Sequence, residues 1–431
     1  MPGESAAEAS FRLTPLGVIS GRTLTPEGDP ISHVTVEAAQ YSYSTGRKRL
    51  ERKRSVITDD RGEYRLFDLP PGRYYVRPYW DVGVARAAPP GAFAQTWFPS
   101  AQRIADAVEV DVAAGGELKG AQIHMRPEAL YTLRGKMGNG PDISNPQRFF
   151  AGGRGGSVQG PGIPFPIVQR RGGDSGAMSG FSLQVVNGVW EMRNLLPGSY
   201  VVTSQTTDPE KPERRLYARQ YVEIVDRDPE TFTLVFQPGL DVTGTVEGSG
   251  ARTAIRVRLE PEEPGPRGVL GAGVNPDGSF LFPDVPPDVY QVRVSLPQGL
   301  YLKSMRIGGR EIPSQQADLT RAAAPLAIGV GDDGGRMDGQ VRDAQGEALP
   351  GATVALAPHD GWPDRVQVTR SGADGAYSFR DIAPGEYQVF VWERAEIEAA
   401  RDAEFRRAFE RWAIPVKVER EGSSTVPLTV R

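Results

Sequence analysis

Residues 58–76 read TDDRGEYRLFDLPPGRYYV, and this stretch predicts three strands separated by two turns. Asp60 and Gly62 are typical of a hairpin, because glycine adopts the positive φ that closes such turns and Asp accepts hydrogen bonds from the turn backbone. Tyr64 and Leu66 then alternate with polar residues, which is the pattern of a strand with one buried face. A Pro-Gly pair follows and predicts the second turn.

The same pattern occurs four times in the chain. Counted from the turn glycine, an aromatic residue follows after two positions, an aliphatic one after seven, a proline after nine and a tyrosine after twelve. The four sets are Gly62, Tyr64, Leu69, Pro71 and Tyr74; Gly188, Trp190, Leu195, Pro197 and Tyr200; Gly278, Phe280, Val285, Pro287 and Tyr290; and Gly375, Tyr377, Ile382, Pro384 and Tyr387. The third copy has Asp288 where the others have glycine after the proline. Copies this far apart each have enough residues for a core of their own.

A second motif precedes the hairpin in the fourth copy, where Gly339, Val341 and Gly346 lead into the run LPGATV at 349–354. The first copy has a matching segment around Gly21, and the two central copies have shorter ones. The two motifs together resemble the carboxypeptidase regulatory-like domain family. The resemblance implies a transthyretin-like (prealbumin-like), carbohydrate-binding-like β-sandwich, and hence an all-β chain of four tandem sandwiches with one short C-terminal helix.

Spacing and composition predict the boundaries of these units. Ten glycines in residues 151–180 predict a mobile insertion in the second unit, since such a segment buries too little apolar surface to order itself. Apolar residues at 405, 408, 409 and 412 fall on one helix face. The predicted division is a disordered lead at 1–10, sandwich one at 11–127, sandwich two at 128–238 with the insertion at 141–180, sandwich three at 239–330, and sandwich four at 331–431 with a helix at 393–412.

Composition limits the possible chemistry. The 431 residues include no cysteine, which excludes disulfides, thiolate catalysis and cysteine-bound zinc. A net charge of −4 gives no indication of nucleic-acid binding, and no apolar run is long enough to span a bilayer. The first ten residues lack the apolar segment of a signal peptide. Because proteins with this domain are usually exported, we expect a bacterial envelope or secreted protein whose signal sequence is not part of this chain.

No catalytic set is recognisable. His33, His124 and His359 lie far apart, and neither an H-E-x-x-H nor a G-x-S-x-G motif occurs. We therefore predict no catalytic residues, no metal site and no cofactor. Asp-rich turns at 59–60, 332–333 and 360–364 are open to two interpretations, calcium binding through carboxylate oxygens or simple turn formation.

Aromatic residues in loops are the candidate ligand contacts. Trp80, Trp97, Phe98 and Trp362 either stack on sugar rings or turn inward to cover the end of a sandwich. A basic cluster within residues 40–54 similarly permits contact with an anion or a solvated hairpin tip.

Three functions follow as hypotheses. The first is a non-enzymatic, rod-like binding or spacer protein of the bacterial envelope, with carbohydrate as the ligand class that the fold's relatives imply. The second is a structural stalk or protein–protein adaptor, for example beside an outer-membrane transporter. The third is an accessory part of a metallocarboxypeptidase-type hydrolase. The expected partners are glycans or envelope proteins, with no nucleic acid and no membrane span, and we expect a monomer.

Overall fold

The computed structural model describes residues 14–43, 48–79, 92–140, 143, 166–171, 182–208, 210–248, 252–263 and 265–430. The predictions made for Trp80, for residues 1–10 and for most of the insertion at 141–180 concern residues outside these ranges. Within the described ranges the regular structure is almost entirely β, and the strands form pairs of sheets in four consecutive units. The all-β tandem array expected from the sequence is therefore confirmed. None of the described helices has the length and apolar character needed to cross a membrane.

The first unit has two main sheets around one hydrophobic core. Its strands are β1 (Gly17–Leu24), β2 (Thr35–Ser42), β3 (Arg49–Ile57), β4 (Glu63–Leu69), β5 (Gly72–Tyr79), β6 (Ala92–Phe93), β7 (Val110–Val112), β8 (Glu117–His124) and β9 (Pro127–Glu128). The sheets have the orders β4-β1-β8 and β3-β2-β5-β7, and β6 pairs with β9.

The second unit repeats this plan. Its strands are β10 (Tyr131–Met137), β11 (Ile167–Arg170), β12 (Ser182–Val186), β13 (Val189–Leu195), β14 (Gly198–Thr207), β15 (Arg215–Ile224), β16 (Phe232–Leu234) and β17 (Gln237–Pro238). They form the sheets β12-β13-β10-β16 and β11-β14-β15-β17.

The third unit has one sheet of five strands and one of four. Its strands are β18 (Leu240–Glu247), β19 (Arg256–Pro261), β20 (Leu270–Gly273), β21 (Ser279–Val285), β22 (Val289–Ser295), β23 (Tyr301–Ile307), β24 (Arg310–Glu311), β25 (Gln316–Asp318) and β26 (Leu326–Gly331). The orders are β21-β18-β26-β23-β24 and β20-β19-β22-β25.

The fourth unit combines two sheets with a helical segment. Its strands are β27 (Gly335–Arg342), β28 (Thr353–Pro358), β29 (Gln367–Arg370), β30 (Ala376–Ile382), β31 (Gly385–Trp392), β32 (Ile414–Val418), β33 (Ser423–Thr425) and β34 (Leu428–Thr429). The orders are β30-β27-β33, with β34 also on β27, and β29-β28-β31-β32. In every unit the first strand is antiparallel to the strand after the turn glycine and parallel to a late strand.

The C-terminal helical segment is divided, so the continuous helix predicted at 393–412 is wrong. Two short helices, α1 (Ile397–Arg401) and α2 (Ala403–Arg407), are followed by a 3₁₀ turn at Glu410–Trp412. Asp402 separates them with an extended backbone, and its carboxylate accepts a hydrogen bond from the backbone N–H of Phe405. Asp is a favoured N-cap residue, and here it starts a second helix instead of continuing the first.

The tyrosine twelve positions after each turn glycine has the same role in all four units. Its hydroxyl donates a hydrogen bond to the carbonyl oxygen four residues earlier, with a donor–acceptor distance of 2.7 Å each time. The four bonds join Tyr74 to Pro70, Tyr200 to Leu196, Tyr290 to Pro286 and Tyr387 to Ala383. Burial of these side chains raises the pKa of all four hydroxyls. The repeat therefore contains a tyrosine corner that fixes each Pro-containing turn.

The aromatic residue two positions after each turn glycine packs against a glycine in the first strand of its unit. The pairs are Tyr64 with Gly21, Trp190 with Gly135, Phe280 with Gly244 and Tyr377 with Gly339. A methyl group at any of these glycines would overlap the aromatic side chain. All four aromatic residues are buried. The paired positions thus explain why both halves of the sequence motif recur together.

Each unit also has a β-bulge that the sequence analysis did not predict. The residue six positions after the turn glycine has positive φ in all four copies, at Asp68 (56°), Asn194 (67°), Asp284 (56°) and Asp381 (54°). The pairing of this strand with the first strand shifts register at the same place. Asp and Asn adopt positive φ more readily than most other residues, which explains their presence here.

Polar contacts join the second unit to the third. The hydroxyl of Tyr217 on β15 donates a hydrogen bond to Asp284 at 2.8 Å. On the same strand Arg219 pairs with Asp288, with 2.7 Å between nitrogen and oxygen. The bulge and the Pro-containing turn of the third unit thus form the surface that meets the second.

The fourth unit inserts a side chain into the third. Trp362 precedes a 3₁₀ turn at Pro363–Arg365 and belongs to the hydrophobic core of the third unit. Asp364 pairs with Arg293 of β22 at 2.9 Å, and Arg365 donates to the carbonyl oxygen of Leu302 at 2.9 Å. This junction combines apolar burial with ion pairing.

The first unit contacts the fourth, so the rod-like arrangement expected from the sequence is wrong. The ring of Tyr43, at the end of the β2–β3 hairpin, packs edge-on against Phe405 of α2 with 5.7 Å between centroids. The backbone N–H of Lys48, on the other side of the same hairpin, donates to the carboxylate of Asp402 at 3.4 Å. A straight rod would hold these units apart, whereas here the chain returns on itself.

Candidate ligand-binding cleft

A cleft of about 520 Å³ lies between the first and second units. This volume is within the range of small-ligand pockets, which often form where domains meet. The lining residues are Tyr41, Leu50, Arg77, Ala94, Gln95, Trp97, Gln102, Arg103, Ile104 and Glu128 from the first unit with Arg170, Arg171, Leu196 and Pro197 from the second. The cleft therefore needs both units to be complete.

The wall from the first unit depends on a buried ion pair. Glu37 on β2 and Arg77 on β5 are direct cross-strand partners, and their side chains are joined by a salt bridge. The guanidinium of Arg77 lies over the ring of Trp97, 4.8 Å from its centroid. Tyr75 meets the same ring edge-on at 6.2 Å. Together these contacts hold Trp97 in one orientation against the sheet.

Tyr75 is itself fixed by a carboxylate. Its hydroxyl donates a hydrogen bond to Glu109 at 2.7 Å. Burial, reinforced by this hydrogen bond and the charge of Glu109, raises the pKa of Tyr75 to about 12. The hydroxyl therefore stays protonated and remains a donor at physiological pH.

The wall from the second unit depends on Arg170, the last residue of β11. Its guanidinium donates to the side-chain oxygen of Gln95 at 3.0 Å and to the carbonyl oxygen of Pro197 at 2.8 Å. The first bond crosses to the neighbouring unit and the second holds the Pro-Gly turn. Leu196 beside this turn packs against the core of the first unit. Arg170 therefore connects the two walls.

Two further arginines stand at the margin of the cleft. Arg103 pairs with Asp106 at 2.8 Å, and Arg171 pairs with Glu263 of the third unit at 2.7 Å. The hydrogen bonds and charge of these carboxylates raise the pKa of both guanidiniums. Arg103 and Arg171 thus carry a positive charge throughout the physiological range.

The aromatic residues predicted as ligand contacts occupy different places. Trp97 lines the cleft but is only 4% exposed, and Phe98 is half-buried against the core of the first unit. Trp362 is also 4% exposed and lies at the junction of the third and fourth units, away from the cleft. Trp80 lies outside the described residues. Neither Trp97 nor Trp362 offers a free ring face, and a ligand role for this set stays a prediction.

Sequence reasoning missed Arg77 and Arg170, which define the cleft. Arg77 follows the buried Val76 in a strand and so lies on the opposite face of the sheet. Its burial there depends on pairing with Glu37 across β2 and β5. Arg170 precedes the glycine-rich insertion and bonds to Gln95, a residue 75 positions away. No local pattern signals either contact, because both arise from tertiary packing.

The Asp-rich turns are occupied by internal hydrogen bonds and ion pairs. Asp59 accepts bonds from the backbone N–H groups of Arg61 and Glu63, at 3.0 and 2.8 Å. Asp360 pairs with Arg365 at 3.0 Å, and Asp364 pairs with Arg293 at 2.9 Å. Among the residues that the structure describes, no group of three or more His, Asp or Glu side chains is arranged to hold a metal ion.

Comparison with known proteins supports the family resemblance for the last unit. Residues 336–403 match the carboxypeptidase regulatory-like domain model. This range begins in β27 and ends in α2, so it covers the part of the fourth unit in which both sequence motifs occur. No curated protein sequence matches the chain.

Several solved structures share a distant likeness. The Bacillus anthracis TIE protein has 10% identity and a TM-score of 0.19, over 98% of this chain and 75% of that one. A streptococcal ancillary pilin has 11% identity and a TM-score of 0.21, over 70% and 99% of the two chains. The minor pilin GBS52 of Streptococcus agalactiae has 11% identity and a TM-score of 0.22, over 44% and 94%. Likenesses this weak assign no function.

Proposed function

We propose that this chain is a non-enzymatic, exported protein of the bacterial envelope that binds a carbohydrate in the cleft between its first two units. The cleft is the observation that carries the proposal, because it has the volume of a small-ligand site and needs both units to form. Its lining combines apolar surface from Leu50, Ile104 and Leu196 with the side-chain amides of Gln95 and Gln102. Sugars present apolar ring faces beside hydroxyl groups, so a lining of this kind is suited to them.

The localisation and the absence of catalysis are part of the same proposal. The family matched by residues 336–403 is the accessory module of larger enzymes, and the sequence has none of the catalytic motifs considered above. A chain without cysteine is compatible with export, since it needs no disulfide to fold.

A glycan array probed with the labelled full-length chain tests the carbohydrate function. We expect at least one glycan class to bind, and Gln102→Trp to abolish that binding, because Gln102 is exposed at the cleft and an indole there would fill it. Gln345→Trp is the matched control, placed in an exposed turn of the fourth unit. Absence of binding to every glycan, or equal binding by Gln102→Trp, would contradict the proposal.

A structural adaptor role is the second candidate, and the contacts between units favour it. Salt bridges, a buried tryptophan and the return of the first unit to the fourth hold the four sandwiches in a fixed arrangement. A scaffold of this kind is suited to holding partners at set distances. Capture of the same envelope protein by the wild type and by Gln102→Trp, with no glycan bound by either, would favour the adaptor over the carbohydrate function.

A further inference from the structure

The charged side chains that line the cleft are mainly positive. Among the described residues that line it, four supply guanidiniums, namely Arg77, Arg103, Arg170 and Arg171, and one supplies a carboxylate, namely Glu128. The carboxylates that pair with three of these arginines are Glu37, Asp106 and Glu263, and they stand outside the lining. The charged side chains that a ligand meets in the cleft are therefore mainly cationic.

Arg170 differs from the other three arginines in its partners. Both hydrogen bonds that its guanidinium makes go to neutral oxygens, those of Gln95 and Pro197. Within the part of the chain that the structure describes, its positive charge is therefore not balanced by a bonded carboxylate. A guanidinium has five N–H donors, so these two bonds leave others for a ligand.

Arg103 is the most available of the remaining arginines. Its side chain is 77% exposed, and its ion pair with Asp106 joins residues three positions apart on the surface. Exposed pairs of this type contribute little to stability, because solvent and salt screen them. The guanidinium of Arg103 can therefore turn from Asp106 to a ligand anion at little cost. Arg77, in contrast, is buried against Glu37 and positions Trp97.

We propose that the cleft binds an acidic oligosaccharide, whose carboxylate is held by Arg170 and Arg103. A carboxylate matches the planar fork of a guanidinium, which can donate two parallel hydrogen bonds to it. The side-chain amides of Gln95 and Gln102 are suited to neighbouring hydroxyls, and Leu50 and Leu196 to the apolar faces of the rings. This inference names the ligand class of the cleft and rests on the proposed carbohydrate function.

Calorimetric titration of the full-length chain with two matched probes tests the inference. The probes are a galacturonate trisaccharide and its methyl ester, which has the same rings but no negative charge. We expect the acid to bind at least tenfold more tightly than the ester, and its affinity to fall as salt is added. Arg170→Gln and Arg103→Gln should each weaken the acid by about ten- to a hundredfold, the usual effect of losing a charged hydrogen bond.

Control variants separate charge at the cleft from charge elsewhere. Arg193→Gln removes a guanidinium that pairs with Glu191 on β13, outside the cleft, and should leave the affinity unchanged. Arg170→Lys keeps the charge without the fork and should restore only part of the affinity lost in Arg170→Gln. Because Arg103 is exposed and bridges no units, Arg103→Gln keeps the test valid if Arg170→Gln loosens the junction.

The outcomes distinguish this inference from the function on which it rests. Equal affinity for the acid and the ester overturns the acidic ligand and leaves a carbohydrate site in place. Failure to bind any glycan, in the titration and on the array, overturns both. Displacement of the acid by millimolar inorganic phosphate, or tighter binding of an oligoglutamate peptide, shows a general anion site and also overturns the inference.

Discussion

Asp288 of the third unit and Arg219 of the second form a buried ion pair across their junction, with 2.7 Å between Oδ2 and Nη2. The two side chains are 7% and 15% exposed, respectively. Asp288 occupies the position at which the other three copies of the repeat have glycine. The departure from the repeat therefore has a physical reason, since this residue supplies the charge that binds the preceding unit.

Removal of the cation should weaken this junction. Arg219→Gln leaves the carboxylate of Asp288 buried without a counter-ion, and breaking a buried pair in this way costs about 3 kcal/mol. We expect hydrogen exchange at neutral pH to show a loss of that order in the opening free energy of β22. The double variant Arg219→Gln with Asp288→Asn should recover most of it, because no buried charge remains. Arg22→Gln, which breaks an exposed pair with Glu63, should cost less than about 1 kcal/mol. Equal losses for the two single variants would contradict the role of burial.

The same carboxylate predicts a pH dependence. Burial raises the pKa of Asp288 to about 6, although Arg219 and the backbone N–H of Val289 oppose the shift. The folded chain therefore binds this proton at a higher pH than the unfolded chain does. The contribution of Asp288 to stability is greatest below about pH 4, falls as the pH rises through about 6, and becomes constant about one pH unit above that.

Comparison with a variant that cannot titrate isolates this effect. The opening free energy of β22 in the wild type, minus that in Asp288→Asn, should increase when the pH is lowered from about 7.5 to about 5. Hydrogen exchange at the two pH values, corrected for intrinsic exchange rates, measures the difference. A decrease on acidification would mean that the pKa of Asp288 is lowered in the folded chain.

The contact between glycine and aromatic residue in the third unit gives a test of core packing. Gly244→Ala places a methyl carbon 2.1 Å from Cζ of Phe280, which is an overlap. Overpacking of this kind lowers the unfolding free energy by about 1 to 3 kcal/mol. Gly271→Ala is the matched control, because nothing lies within 4 Å of the added methyl group. Hydrogen exchange of the β18 amides, measured at increasing urea concentrations, gives the unfolding free energy. It should fall in the first variant and change little in the second. Adding Phe280→Leu to Gly244→Ala should recover part of the loss by making space.

The contact between the first and fourth units predicts the shape in solution. Tyr43→Ala removes the ring that packs against Phe405, and among the described residues the hairpin keeps the hydrogen bond from the backbone N–H of Lys48 to the carboxylate of Asp402. We expect a larger radius of gyration by small-angle X-ray scattering, increasing further in high salt, which screens the remaining charges. Phe67→Ala, at an exposed ring of the same unit, should leave the scattering profile unchanged. An unchanged profile for Tyr43→Ala would show that the ring does not hold the units together.

Much of the fold could be predicted because the residues of the repeat determine local turns and strands. The spacing from turn glycine to tyrosine predicted hairpins, and the structure gives it a further meaning in the four tyrosine corners. The bulge was missed, although an Asp or Asn stands six positions after the turn glycine in every copy. The recurring Asp or Asn did not lead to a prediction of the bulge, because the alternation of apolar and polar residues alone gives no indication of a residue with positive φ within a strand.

The candidate cleft could not be predicted in the same way. Its walls come from two units, and the bond from Arg170 to Gln95 depends on how those units pack. Exposed aromatics in loops were the expected ligand contacts, yet Trp97 is buried by the guanidinium of Arg77 and the ring of Tyr75. Helical periodicity at the C-terminus predicted one helix, whereas the segment forms two short helices and a 3₁₀ turn. The capping bond of Asp402 that divides it depends on one side chain.

Trp362 shows that the repeat and the folding unit are not the same length of chain. This ring belongs to the fourth copy by sequence, yet it fills space among the side chains of the third. A fragment that ends at the last strand of the third copy would lack it, and the vacated volume would cost several kcal/mol, as large-to-small changes in cores do. Anyone who excises or recombines these sandwiches as modules should therefore cut elsewhere than between the last two.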